Sequence, residues 1–351
     1  MTRKIQFAAL AAMVALGACQ SESNGGGGDS AARDHISAVG SSTVYPFTTA
    51  VAEQFQHKNP AFKAPVIEST GTGAGMHLFC GGVGAGFPDI EDASRRIKKS
   101  EWEECTKNGV SQVVEIQIGI DGIILAEASS GPAMKLTPAE IYRALAAKPF
   151  GHEQTAQTWH DVNPSLPAEP ILVYGPPPTS GTRDAFVELI MDKGCDSDAA
   201  TKALKDSDAD RHKEICSKIR EDGKYVESGE NDNLIVQKLA ANPNAIGIFG
   251  YSFLEENADK VRGIAINDVV PTYATIADYS YPGARPLFIY VKSAHLNVIP
   301  GLREFVNEYA SAWGPDGYLK RRGLIAAPDD IRAKSLAIVQ AMTPMDPTTV
   351  Q

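Results

Sequence analysis

The sequence predicts an α/β protein built in layers, with largely parallel sheets. Two observations carry this. From His35 onward, β-rich stretches alternate with stretches of helical spacing, an order that packs helices on a mostly parallel sheet. Three loops rich in glycine, serine and threonine, residues 40–46, 69–77 and 179–186, each follow a strand and open a helix. In open α/β sheets, ligands lie outside the carboxyl ends of strands, against helix N-termini.

The elements follow in order. ISAVGSS reads as strand then loop, and Pro46 to Phe55 as a helix. PVIESTGTGAG is strand then glycine-rich loop, with a helix from Met76 onward. DIEDASR is a short strand and loop, and SEWEECTKNG is a helix closed by Gly109. VVEIQIGIDGIILAEA is a long β-rich run. LTPAEIYRALAA is a helix whose start is marked by a Thr137/Glu140 capping box, with Pro138 at its first position. PILVYG is a strand leading into the third loop. AIGIFGYSFL is strand, turn and helix start, and ARPLFIYVK is a strand. GLREFVNEYASAW and DDIRAKSLAIVQAM are the last helices, and TPMDPTTVQ reads as a frayed end.

The N-terminus has a basic start, MTRK, then an apolar run too short for a stable membrane span. It ends in Leu16-Gly17-Ala18-Cys19, which resembles the lipobox of bacterial lipoproteins. Residues 1–18 are therefore expected to be a signal peptide and Cys19 to carry lipid. Residues 19–33, rich in glycine and serine, read as a flexible tether. Gln20 stands where an aspartate would favour inner-membrane retention. The expectation is a lipoprotein in the periplasm or at the cell surface, with outer-membrane sorting left open.

The formal net charge is −10, and more negative still without Arg3 and Lys4. That balance disfavours nucleic acid as a partner, and any anionic ligand has to be held by local groups. Besides Cys19, four cysteines remain: Cys80, Cys105, Cys195 and Cys216. In an exported chain they read as disulfides, and four cysteines allow three pairings. Cys80–Cys105 and Cys195–Cys216 are favoured, since they close two local loops of similar length. No C-x-x-C or H-x-x-x-H accompanies them, and the acidic run near residue 208 lacks calcium-loop order. No metal or cofactor is expected.

The third loop, YGPPPTSGTRDAF, poses the functional question. Three prolines stop any helix, and two hydroxyls and a glycine then open one. The first N–H groups of a helix have no internal partner and point outward at the positive end of the dipole. Ser180 and Thr182 add hydroxyl donors, and Gly181 admits close approach of an oxygen. The plainer alternative is an N-cap. None of the three loops carries a Walker lysine, and GTGAG lacks dinucleotide-loop spacing.

Taken together, AVGSSTVYPF, STGTGAG, DASRRI, SGTRDAF, NAIGIFGY and YPGARPLFIYV resemble the phosphate-binding proteins of ABC-type phosphate transporters, over nearly the whole chain after the leader. The resemblance implies a two-lobed periplasmic-binding-protein fold of type II. Each lobe is a mixed sheet flanked by helices, with phosphate held in the cleft between them. It implies a monomer that performs no chemistry and delivers phosphate to permease subunits. The first lobe is placed at residues 34–122 plus 265–351 and the second at 123–264, with crossings near Asp121–Leu125 and Val261–Ile266. Carried over by motif, the phosphate contacts are Ser42, Thr43 and the Val44 N–H; Thr70, Thr72 and the N–H groups of Gly73 and Ala74; and Ser180, Gly181 and Thr182. Tyr45 is a candidate wall of the cleft.

Two departures stand out. Known members have an aspartate where this chain has Arg95, and an arginine where it has Pro176; here an arginine follows the threonine, as Arg183. A buried carboxylate accepts the proton of hydrogen phosphate and repels sulfate. Arg95 and Arg183 are instead expected to bind the oxyanion. Discrimination against sulfate is expected to weaken unless Asp92 or Asp184 supplies the acceptor, and Asp184 is expected to pair with Arg183. Rival readings are a phosphate scavenger or sensor without a permease, a binder of sulfate or arsenate, and a secreted serine hydrolase or phosphatase. The last would use Ser180 with a histidine base. His77 alone lies near a loop, and S-G-T-R-D is not the G-x-S-x-G elbow.

Overall fold

The computed structural model describes residues 33–178, 180–229 and 232–350. The leader, Cys19 and nearly all of the tether lie outside the described residues. Arg33, at the tether's end, belongs to the fold: it pairs with Asp89 at 2.6 Å and donates to the carbonyl of Ala85.

β1 (Ser37–Gly40), β2 (Val66–Ser69) and β3 (Ile90–Ala93) are parallel, with β1 in the middle. They are followed by α1 (Tyr45–Lys58), α2 (Thr72–Phe79) and α3 (Lys99–Lys107). The long apolar run forms one 16-residue strand, β4 (Val113–Ala128). β5 (Lys135–Leu136) leads to α4 (Pro138–Leu145), whose start is fixed by the expected capping box: Glu140 N–H donates to Thr137 Oγ1, and Thr137 N–H to Glu140. α5 (Trp159–Val162) and β6 (Val173–Gly175) precede α6 (Gly181–Phe186). α6 runs through a π-helical turn (Val187–Met191) into α7 (Asp192–Cys195). α8 (Ala199–Ser207) and α9 (Ala209–Cys216) follow, then β7 (Tyr225–Glu227), α10 (Asp232–Ala241), β8 (Ile246–Gly250), α11 (Tyr251–Glu256), β9 (Val261–Gly263), β10 (Ala265–Ile266), α12 (Tyr273–Ala277) and β11 (Ala284–Lys292). α13 (Leu302–Ala312), a 3-10 turn (Tyr318–Arg322) and α14 (Asp329–Ala341) complete the fold.

Two lobes share β4. Its first half pairs antiparallel with β11, which also pairs antiparallel with β3. Its second half pairs antiparallel with β8 and β9, and β8 extends through β6 to β7 in parallel. The sheets are therefore mixed, with the antiparallel pairs at the seam and the parallel pairs outside it. Both faces of β4 are covered, and its residues are mostly apolar, with Glu115, Gln117, Asp121 and Glu127 as the exceptions. β4 passes from β11 to β8 at Gly122–Ile123. Val261–Ile266 pairs with β4's second half and with β5, and the chain comes back beside β4's first half on β11, where Ala284 meets Gly122.

Separate cores fill the lobes. Val51, Phe55, Phe305 and Tyr309 pack α1 on α13 in the first, and Tyr142, Trp159, Phe186 and Phe249 fill the second. Both local disulfides are formed, Cys80–Cys105 and Cys195–Cys216. Residues 343–350 are not frayed. Met345 N–H donates to the carbonyl of Val113, and Met345 and Val350 pack on the core beside α2 and α3. No described helix is long and apolar enough to cross a membrane.

Asp92 is part of the first lobe's core. On β3 it faces the same side as Ile90, and its Oδ1 accepts from Thr48 Oγ1 at 2.9 Å, with Tyr309 Oη 3.0 Å from that hydroxyl. Its other oxygen has no partner among the described residues. Asp92 is 1% exposed. Strand alternation, which the loop chemistry did not reveal, turns it away from the place where it was expected to read an anion's proton. Burial pushes its pKa up to about 7, against the hydrogen bond from Thr48. The folded chain therefore keeps Asp92 protonated at pH values where the unfolded chain ionises it. Its contribution to stability is full below about pH 4 and is lost as pH rises through about 7. Asn at this position still accepts from Thr48 and cannot ionise. Asp92→Asn is expected to be more stable than the parent at pH 8, by roughly 2–4 kcal/mol, with the gap closing towards pH 4. Urea unfolding at the two pH values checks this; equal stability at pH 8 contradicts it.

Candidate anion-binding site

All the candidate loops lie at the carboxyl ends of parallel strands. The first leaves β1 at Gly40, whose φ is +130°. A Cβ there would lie 2.2 Å from the carbonyl of Asp92, so only glycine lets the loop start this close to β3. Ser41 N–H donates to that carbonyl, and Ser41 Oγ accepts from the N–H groups of Thr43 and Val44 at 3.2 and 3.4 Å. The Val44 N–H, expected to face an anion, is thus turned inward on the loop. Tyr45 is exposed at the start of α1, and Pro46 and Phe47 wall the cleft instead.

The second loop wraps the end of β1. The N–H groups of Thr70 and Gly71 both donate to the carbonyl of Gly40. The first bond within α2 runs from Gly75 N–H to Gly71, which leaves the N–H groups of Thr72, Gly73 and Ala74 as the free first turn. Gly73 and Ala74 are exposed. Thr72 Oγ1 accepts from Ser94 N–H at 3.1 Å, tying this loop to the one after β3. Arg95 does not extend from there as a free donor. Its guanidinium makes a two-pronged pair with Glu101 at 2.6 and 2.9 Å. Arg95 and Glu101 lie on opposite sides of the α3 start, six residues apart, a closure the basic cluster in the sequence concealed. Beneath α2, Glu91 is fully buried and neither of its oxygens has a partner among the described residues. Burial, then the neighbouring Asp92, pushes its carboxyl well above the usual range.

The third loop explains its prolines. The carbonyl of Pro176 accepts from Tyr225 Oη at 2.8 Å and from Arg183 Nη1 at 3.1 Å. Arg183 lies over the Tyr225 ring, 4.4 Å from its centre, a cation–π contact. Burial pushes the Tyr225 hydroxyl up to about 12, with Arg183 acting in the opposite sense. The arginine thus folds back from α6 so that its guanidinium lies beside residue 176. Ser180, buried, caps α6: its Oγ accepts from Thr182 N–H at 3.2 Å. The N-cap and the anion readings of this serine are compatible, since the cap uses one lone pair and leaves the hydroxyl proton free.

Loops one and three meet directly. Thr43 Oγ1 donates to the carbonyl of Gly181 at 3.2 Å, and Ser42 Oγ donates to Asp184 at 2.5 Å. Asp184 therefore bridges to the first loop in place of the expected pairing with Arg183. A Cβ on Gly181 would lie 2.7 Å from the Ser42 carbonyl oxygen and 2.8 Å from Thr43 Cα. The two loops border a cleft of about 480 Å³ lined by Ser42, Thr43, Ser180, Gly181 and Thr182. Thr70, Thr72, Gly73, Ala74 and Arg95 do not line it.

One residue of this constellation was missed in the sequence. Arg285, on β11, is 5% exposed. It donates to Thr43 Oγ1 at 3.0 Å, to Glu188 at 2.5 Å and to Asp121 on β4 at 3.3 Å. Burial raises the carboxyl of Asp121, with Arg285 opposing it. The only signal was the arginine of YPGARPLFIYV, a stretch noted for its strand. His77, the one histidine near a loop, is exposed and pairs with Glu104.

Comparison with known proteins agrees with this layout. A family model described as the PBP superfamily domain matches residues 26–312. "Protein SphX" of Synechococcus elongatus is 35% identical over 288 residues, 80% of this chain and 74% of that protein. "Phosphate-binding protein PstS" of Staphylococcus saprophyticus is 32% identical over 307 residues, 85% of this chain and 82% of that protein. The crystal structure of a possible phosphate binding protein from Planctomyces limnophilus superposes with a TM-score of 0.71 at 30% identity, covering 89% of this chain and 99% of that one. An ABC-type phosphate transport receptor from Vibrio cholerae shares the fold, with a TM-score of 0.56 at 20% identity, over 83% of this chain and 99% of that one. The chain belongs to the PBP superfamily and, within it, to the family of the PstS and SphX proteins.

Proposed function

We propose that this chain is a solute-binding protein that captures inorganic phosphate between its lobes and hands it to an ABC-type permease. The observation that carries the reading is the direct meeting of loops one and three, which sets Ser42, Thr43, Ser180, Gly181 and Thr182 on one cleft. The relatives named for phosphate binding supply the anion. The N–H groups of Thr72, Gly73 and Ala74, free at the start of α2 but outside the lining of this cleft, are the second loop's donors in this reading. Arg183, folded back to residue 176, takes the place of the arginine that the resemblance puts there. Each charge-assisted hydrogen bond in such a desolvated cage contributes roughly 1.5–3 kcal/mol.

The chain binds and releases without chemistry. Ser180 Oγ is engaged as a cap and His77 is paired on the surface, which leaves a serine-hydrolase reading without its base. The protein works outside the cytoplasm, held to a membrane by lipid on Cys19, after removal of residues 1–18. Asp92 is turned into the core, and Asp121, which lines the cleft, is held by Arg285. Asp184, joined to Ser42 beside the cleft, is the carboxylate on the loops themselves, and we assign to it the acceptor role towards the proton of hydrogen phosphate.

Calorimetric titration of the anion-stripped chain tests this, with phosphate alone and then in excess sulfate. Phosphate is expected to bind at micromolar Kd or tighter, about −8 kcal/mol or more, and to survive sulfate. Asp184→Asn is expected to bind phosphate more weakly and to lose the distinction, so that sulfate competes. No heat with phosphate contradicts the reading. Retained discrimination in Asp184→Asn contradicts the role given to Asp184.

A further inference from the structure

The cleft has a second wall that neither the motifs nor the relatives' names assign. Besides the donor loops, it is lined by Arg321, Arg322 and Gly323. These follow from the 3-10 turn Tyr318–Arg322, closed by Gly323 at φ +93°, whose N–H donates back to the carbonyls of Leu319 and Lys320. Arg321 and Arg322 are exposed. Arg322 reaches Glu53 only at 3.6 Å, between two largely solvated side chains, a contact worth little. The Arg321 side chain has no ion pair or hydrogen bond among the described residues.

The other arginines near the loops are already engaged. Arg95 is held by Glu101, Arg285 by Asp121 and Glu188, and Arg183 by the Pro176 carbonyl and the Tyr225 ring. The chain as a whole carries a net charge of −10 and repels an incoming anion. A cleft with low-dielectric walls focuses the field of the charges at its mouth, and unpaired cations there raise the rate of anion capture.

We propose that Arg321, with Arg322 beside it, forms a cationic lip that captures a small, doubly charged oxyanion at the mouth of the cleft and delivers it to the donor loops. This rests on the anion-binding reading above. The lip acts on encounter, so it governs the rate of association more than the lifetime of the complex.

Stopped-flow association of inorganic phosphate with the mature chain tests it, comparing the parent with Arg321→Gln, Arg321→Glu and Arg303→Gln. Arg303, exposed on α13, removes the same unit of charge away from the cleft. Arg321→Gln is expected to slow association by about three- to tenfold at low salt, and Arg321→Glu by more. The differences should shrink as added salt screens the exposed charges. Dissociation and thermal stability should change little, and Arg303→Gln should associate like the parent. Parent-like association in Arg321→Gln, or an equal slowing in Arg303→Gln, overturns the lip while leaving the anion reading standing. A parent chain that takes no phosphate overturns both.

Discussion

The arrangement depends on one buried guanidinium. Arg285 ties together three segments at one point: the first loop through Thr43, the crossing strand through Asp121, its ladder partner, and the π-helical turn after the third loop through Glu188. Two carboxylates around one arginine leave a local negative excess, and removing one member of such a set exposes the others to an uncompensated burial cost of several kcal/mol. The network is therefore hard to dismantle piecemeal. It fixes Thr43 so that its hydroxyl can donate to the carbonyl of Gly181, which sets the separation of loops one and three. Glu188 is the half-exposed member, at 50%.

Rigid backbone does the rest of the positioning. In the third loop the prolines hold the Pro176 carbonyl where Tyr225 and Arg183 can both reach it, and the aromatic face limits the guanidinium to one plane. In the first loop Ser41 Oγ accepts from the N–H groups of Thr43 and Val44 and so fixes the backbone that carries Ser42 and Thr43. Donors fixed in advance lose little entropy when a ligand arrives. The acidic surface and the donor-rich interior act in opposite senses, which is why the few unpaired cations matter out of proportion to their number.

Much of this was legible in the sequence, for local reasons. A strand buried on both faces is largely apolar, and β4 is, its acids Glu115, Asp121 and Glu127 each being paired with an arginine. Thr137 and Glu140 cap α4 because a capping box needs only four residues. The cysteine pairs close within 25 and 21 residues. What was not legible depends on distant or alternating geometry. Arg285 and Thr43 are 242 residues apart, and Arg285 and Asp121 are 164 apart. Asp92 and Glu91 are neighbours on β3 that face opposite ways, and both are buried, Asp92 against Thr48 of α1 and Glu91 beneath α2. The pairing of Ala284 with Gly122, which brings the chain back beside β4, is invisible without the fold.

The central claim is that the donor loops hold an anion because the backbone of Gly181 lies against Ser42 and Thr43. The measurement that bears on it most directly is the calorimetric phosphate affinity of Gly181→Ala beside that of the parent chain. A Cβ at this position meets the Ser42 carbonyl at 2.7 Å, so the loops have to part. The account predicts affinity weakened by about 100-fold or more, near 3 kcal/mol, in a chain that stays folded. An affinity within about twofold of the parent would contradict it.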